Sequence, residues 1–266
     1  MAPPLLNRCM RRHARSIILF TLLLLAGSAH ADLQDEIQVY DDAINAPGEF
    51  GIELHVNTTP RGRRTPDYPG EVTPHHGWRL TPELAWGLAP TLEAGLYLPS
   101  AADAQGRWRL AGLKLRLKWL PLQPQDGRGG FGGVNLELAR VGARYSAVRS
   151  SLEARFIAGW RNADWLLAIN PTLGKGLSDG ARSESPELSW GLKAARRVGD
   201  GLSVGAELYA APGTLADTLP WRKQDNRLFV ALDVDRKPWV FNLGIGRGLT
   251  DAADRWTVKA IFELPI

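Results

Sequence analysis

The chain has 266 residues, and its 32 Lys and Arg stand against 28 Asp and Glu, a formal net charge of +4. That excess sits in the first 31 residues, where Arg8, Arg11, Arg12 and Arg15 occur with no acid, so the remainder is neutral and lacks the basic surface that nucleic-acid binding needs. The single cysteine, Cys9, lies in the same stretch, which excludes a disulfide, a cysteine zinc site and a thiol nucleophile from everything after it.

Residues 1–31 read as a cleaved signal peptide. Arg8 to Arg15 form a basic region, Ile17 to Ala26 an apolar run, and Ala29-His30-Ala31 an A-x-A cleavage site before Asp32. The apolar run is about half the ~20 residues of a spanning helix. Residues 32–48 are rich in acids (Asp32, Asp35, Glu36, Asp41, Asp42) and are expected to form a periplasmic N-terminal segment. It could fold into a barrel mouth as a constriction near Lys114–Lys118.

From Glu49 the chain changes character. Residues 49–266 form one domain of short segments in which apolar residues alternate with charged, small or hydroxylic ones, the two-residue period of a β-strand. Phe50, Ile52, Leu54 and Val56 share one face, and Glu53, His55 and Asn57 the other. Trp78, Leu80, Leu84 and Trp86 oppose Arg79, Thr81 and Glu83. Leu92 to Leu98 oppose Glu93 and Tyr97. Leu113, Leu115, Leu117 and Trp119 oppose Lys114, Arg116 and Lys118, after a parity slip at Ala111-Gly112 that predicts a bulge. The pattern repeats with Glu137, then Glu153 and Arg155, then Asn170, Glu187 and Lys193, Glu207, Asp233, Asn242 and Lys259 on the charged face. About 12 segments result.

This all-β pattern fits two architectures. A soluble periplasmic β protein turns the apolar face inward. A transmembrane antiparallel up-and-down β-barrel turns it outward against lipid. Connections alternate between long and short, as outer-membrane barrels arrange them, with Pro121–Gly132 as a long exception on the short side. Tryptophans gather at segment ends: Trp86, Trp119, Trp160, Trp165 and Trp239 at the short-turn side, Trp78, Trp108 and Trp256 at the other. Indoles favour both membrane–water interfaces, which predicts a pair of belts. The expected fold is therefore a single outer-membrane barrel of about 12 strands.

The expected interior lining is Glu53, Arg79, Glu83, Glu93, Lys114, Arg116, Lys118, Glu137, Glu153, Arg155, Glu187, Lys193, Glu207 and Lys259. Such a surface either selects solutes by charge or neutralises itself by cross-strand pairing. In a hairpin His55, His75 and His76 could converge with Glu53 or Glu71 on a metal, but no metal site is assigned, because the adjacent His75 and His76 point apart on a strand. Arg61-Gly62-Arg63-Arg64 reads as a solvated basic loop or a contact for lipopolysaccharide phosphates. No catalytic residue is identified: there is no H-x-S pair, no P-loop and no H-E-x-x-H.

The phrase around Gly87-Leu88, a short turn and Leu92-Glu93-Ala94-Gly95-Leu96-Tyr97-Leu98-Pro99 resembles small Gram-negative outer-membrane barrels grouped with the phenol-degradation, MetA-pathway-type transporters. The resemblance implies an outer-membrane location, passive transport of small solutes as a porin-like channel, and contact with membrane lipid and lipopolysaccharide. It implies no cofactor and no enzyme. The chain departs from many such barrels in ending Phe262-Glu263-Leu264-Pro265-Ile266 rather than on an aromatic. A non-conducting structural or adhesive barrel is the alternative. There is also an internal echo: Pro82–Leu88 recurs as Pro186–Leu192, and a true duplication would set Glu83 and Glu187 facing each other across the lumen.

Overall fold

The structure is a computed structural model that describes residues 35–178 and 180–264. The expected signal peptide and the terminal Pro265-Ile266 lie outside the described residues.

Fourteen strand segments form one sheet, and the first of them, β1 (Phe50–Arg61), hydrogen-bonds both to β2 (Trp78–Ala89) and to the last, β14 (Trp256–Leu264). The sheet is therefore closed and has no free edge. Two barrel strands are interrupted. β3 (Leu92–Tyr97) continues as β4 (Ser100–Ala102) past Leu98-Pro99, and β5 (Trp108–Leu110) continues as β6 (Gly112–Leu122) past Ala111. Counting each pair once gives a 12-stranded antiparallel barrel. The others are β7 (Gly129–Val141), β8 (Ser150–Arg161), β9 (Trp165–Gly176), β10 (Glu187–Gly199), β11 (Leu202–Thr214), β12 (Asp225–Arg236) and β13 (Trp239–Gly248).

The interruptions share a cause. Pro82 and Pro99 lack a backbone donor. Leu98 N–H donates to Pro82 O at 3.1 Å, and Ala111 N–H to Pro99 O at 2.8 Å, so the wall kinks along one line across β2, β3–β4 and β5–β6. The slip expected at Ala111-Gly112 is this kink. The break at Leu98-Pro99, and the short strand at Ser100–Ala102 beyond it, follow from the two prolines together.

Connections are 90–91, 123–128, 162–164, 200–201 and 237–238 at one end, and 62–77, 103–107, 142–149, 177–186, 215–224 and 249–255 at the other. The exception expected at Pro121–Gly132 shrinks, because β6 and β7 extend into it from both sides. Asp126 and Gly127 take left-handed backbone (φ 49° and 68°) to close the remaining turn.

Burial is inverted relative to a soluble protein. Val230, in the middle of β12, is 60% exposed, as are Leu115 (51%) and Ile245 (53%) on other strands, while His55 is 0% and Lys259 1% exposed. A continuous outward surface of Leu, Val, Ile and Trp aggregates in water and matches a lipid surround. The soluble reading, with apolar faces inward, is excluded by this orientation.

Candidate functional site

The interior holds an unusual density of paired charge. Each lining residue named from the sequence except Glu187 is buried or half-buried on the interior face. Glu187 is the first residue of β10, exposed at the long-loop rim. The echo therefore does not set Glu83 and Glu187 face to face. Pro82 is the fifth residue of β2, whereas Pro186 precedes β10 altogether, so the two heptads sit at different heights on their strands.

Three charge networks line the wall. On β2, β3 and β6, Arg116 bridges Glu83 and Glu93, with 2.8 Å from Nη1 to Glu93, and Lys118 joins Glu93 at 2.9 Å. On β6 to β8, Lys114 lies 3.3 Å from Glu137 and Arg155 2.9 Å from Glu153. On β10 to β14, Lys259 meets Glu207 at 2.5 Å, and Lys193 meets Asp233 at 2.8 Å. A lone buried ion costs several kcal/mol, so these charges persist because each has a partner. The run Lys114-Arg116-Lys118 is thus neutralised rather than presented as a bare cationic track.

Residues 35–48 thread this interior and touch all three networks. Asp35 pairs with Lys114 at 2.8 Å, Glu36 with Arg155 at 3.3 Å and Asp42 with Arg161 at 3.2 Å. Lys259 donates to Ile37 O at 2.9 Å and Lys118 to Ala43 O at 2.9 Å. Asn45 donates from its backbone N–H and side-chain amide to Glu93, at 2.7 and 2.8 Å. The segment is therefore held along its length, not only at the mouth as the sequence suggested.

Tyr40 is the centre of the contact. Its N–H donates to Asn170 Oδ1 at 2.6 Å, its carbonyl accepts from Asn170 Nδ2 at 3.0 Å, and its hydroxyl lies 2.8 Å from that of Tyr97. The Arg155 guanidinium sits 4.6 Å from its ring centroid, a favourable cation–π geometry. Val39 and Tyr40 also pack with Leu120, Phe131, Ile157 and Ala168 into a small apolar cluster inside the barrel. The sequence reading missed this cluster, since Leu120, Phe131 and Ile157 are apolar residues in phase with the charged lining and its search was for charge. The alternation Ile37-x-Val39 in an otherwise acidic stretch was the available signal.

Glycines make room for the thread. Gly87 N–H donates to Glu49 O at 2.9 Å, and Gly48 N–H to Gly87 O at 2.8 Å. A β-carbon at Gly87 would collide with the carbonyl oxygen of Ala46. Gly95 likewise lets the Arg116 side chain lie flat against the wall.

Burial alone would raise the Glu36 carboxyl, but the cations of Arg155 and Lys114, with His55 and a Tyr40 hydrogen bond, outweigh it and hold the group at about 2. For Asp42, nearer the mouth, burial and the adjacent Asp41 carboxylate prevail over Arg161, and its pKa is raised.

At the long-loop end, the cluster Arg61–Arg64 is not a free basic patch. Arg63 bonds Glu71 bidentately at 2.9 and 2.5 Å and donates its backbone N–H to Asp254 at 2.9 Å. That loop is tied down by its own Glu71 and by Asp254 of the 249–255 connection. The tryptophans Trp78, Trp86, Trp108, Trp119, Trp160, Trp165 and Trp239 are exposed, and Trp256 is half-buried. Arg196 lies 5.7 Å from the Trp165 ring at the short-turn end and Arg247 5.8 Å from Trp256 at the long-loop end.

Comparisons with known proteins bear on the fold. No family model matches the chain, and no curated protein matches it by sequence. Solved structures do match. The KdgM porin aligns at TM-score 0.54 and 8% identity, over 81% of this chain and 99% of its own. An outer-membrane channel from Pseudomonas putida F1 aligns at TM-score 0.53 and 12% identity, over 86% and 99%. The NanC porin aligns at TM-score 0.53 and 8% identity, over 81% and 100%. At these identities the likeness is one of fold: the chain has the architecture of small outer-membrane barrels.

Proposed function

We propose that the protein is a porin-like channel of the Gram-negative outer membrane that passes small solutes through the charge-lined interior. One observation carries the reading. The interior is filled by a tethered segment held mostly through ion pairs and hydrogen bonds, with one small apolar cluster at Val39 and Tyr40 rather than a continuous apolar core, so the filling can move while the wall stays closed. The like fold of two porins and an outer-membrane channel supports it, as does the resemblance of residues 87–99 to MetA-pathway-type transporters.

In this reading residues 1–31 direct export, residues 32–48 enter from the periplasmic side, and the long loops face outward. Glu53, Arg79, Glu83, Glu93, Lys114, Arg116, Lys118, Glu137, Glu153, Arg155, Lys193, Glu207 and Lys259 line the path, with Glu187 at its outer rim. Trp86, Trp119, Trp160, Trp165 and Trp239 anchor the inner interface, and Trp78, Trp108 and Trp256 the outer one, with lipid and lipopolysaccharide around them.

A second reading, a structural barrel closed by its own ion pairs, is favoured by the pairing of Arg116, Lys118, Lys193 and Lys259. Bilayer conductance of the purified protein decides. Stepwise ion currents from a protein whose gel mobility shifts on boiling support the channel. A heat-modifiable protein that never conducts, even without residues 32–45, overturns it.

A further inference from the structure

Glu53 and Glu83 are direct partners across β1 and β2, and both point inward. Like charges directly opposite on a sheet repel. Glu53 is paired on its other side with Glu263 of β14, so no cation comes from either neighbouring strand at that level. His55, two residues along the same face of β1, is fully buried. Its Nε2 lies 3.2 Å from Glu83 Oε2 and 3.7 Å from Glu53 Oε2. One donor atom from each of the three lies within 4.8 Å of the other two.

We propose that Glu53, His55 and Glu83 form a binding site in the barrel wall for a divalent transition-metal cation of the zinc type. An imidazole nitrogen with two carboxylate oxygens is a zinc donor set, whereas calcium and magnesium take oxygen alone. Bonds of about 2.0–2.2 Å put ligand atoms roughly 3–3.6 Å apart, and the present spacing needs only a small closure to reach that. Arg116 stays on the other oxygen of Glu83, Oε1, leaving Oε2 for the ion. The Glu53 side chain is 29% exposed, so it offers the approach from the interior and leaves a coordination position open to water.

A second observation points the same way. A metal-bound histidine donates its other ring N–H to an acceptor that fixes the ring. His55 Nδ1 has no hydrogen-bond partner, and neither has the hydroxyl of Thr81. Thr81 is fully buried and is the direct cross-strand partner of His55. Binding makes the Nδ1–H a donor, and Thr81, across the ladder, carries a buried hydroxyl with no other partner that can accept it after a small adjustment. The ion also offsets the Glu53–Glu83 repulsion and clamps β1 to β2, whether or not the interior conducts.

The test is a zinc titration of the tag-free protein in detergent by calorimetry, with zinc-edge X-ray absorption of the loaded wild type. The expected result is one zinc per chain. Glu53→Gln and His55→Gln should each weaken it about tenfold or more, and calcium should not compete. The pair of half-buried His75 and exposed His76, whose rings stack at 3.9 Å, is the rival site, and H75A/H76A should leave binding intact. The absorption spectrum should show one imidazole among oxygen ligands, a readout that stands even if a variant fails to fold. No zinc uptake by the wild type, binding lost in H75A/H76A but kept in E53Q and H55Q, or a two-imidazole spectrum overturns the proposal.

Discussion

Arg155 on the barrel wall and Glu36 on the threading segment meet at 3.3 Å, while Arg155 also holds Glu153 on its own strand at 2.9 Å. The wall cation thus has a permanent partner and a removable one. Loss of Glu36 leaves Arg155 paired, so the barrel should tolerate it, and the segment should not. A hydrogen bond to a charged group contributes about 1.5–3 kcal/mol. Glu36→Gln should therefore raise mean single-channel conductance or its fluctuation, with the boiled and unboiled gel bands unchanged. Asp41→Asn, which removes an acid with no wall partner among the described ion pairs, should have little effect. Equal behaviour of the two variants would dissociate the ion pair from gating.

Gly87 tests the crossing point at the mouth. A side chain there meets the backbone of Asn45 and Ala46, which cannot rotate away as a side-chain tip could. Gly87→Val should displace residues 35–48 and expose them to protease added from the short-turn side. Gly130→Ala, where the nearest atom to a β-carbon is 3.8 Å away, should leave the segment protected.

Ion selectivity should follow the segment's charge. Asp35, Glu36 and Asp42 supply partners to Lys114, Arg155 and Arg161. Deleting residues 32–45 removes these acids and leaves the three cations on the wall. Conductance should rise, and the reversal potential across a KCl gradient should move toward the chloride value. A shift toward potassium would mean that the wall acids, not its cations, dominate the open path.

Acid should release the segment. The Glu36 pKa is lowered on docking, from 4.5 to about 2. A depressed carboxylate contributes stability that is fully present above its ordinary value and is lost as pH falls through the depressed one. The contribution is on the order of 3 kcal/mol at neutral pH, lost between about pH 4.5 and 2. Asp42 acts with the opposite sign, since its raised pKa favours docking when it is protonated. Glu36 is the more deeply placed and has the larger displacement, so release should prevail. Protease sensitivity of residues 35–48 across that pH range measures it, and E36Q should flatten the curve.

The outward face makes its own prediction. Val230 lies mid-strand on β12 and faces away from the interior, whereas Leu215 is as exposed but sits in the 215–224 connection. Arginine at a lipid-facing midplane position costs about 2–4 kcal/mol and far less near an interface. Val230→Arg should lower unfolding stability in lipid vesicles by that amount, and Leu215→Arg should be neutral.

The sequence alone determined which residues share a strand face, because a two-residue period leaves no freedom once a strand is extended. Glu53 with His55, Lys114 with Arg116 and Lys118, and the bulge at Ala111 were all legible that way. So were the long and short connections and the tryptophans at strand ends. Tertiary structure decided the rest. Alternation is symmetric between its two faces, so closure had to establish that Leu115 and Val230 point outward. Closure also fixes neighbours that no local rule couples: Arg116 meets Glu83 from 33 residues away, and Lys259 reaches Ile37 from 222. The thread through the interior was readable only as an acidic stretch. Its seat on Tyr97, Asn170 and Phe131 exists because the barrel brings β3, β9 and β7 around one axis, and that proximity is a property of the closed register.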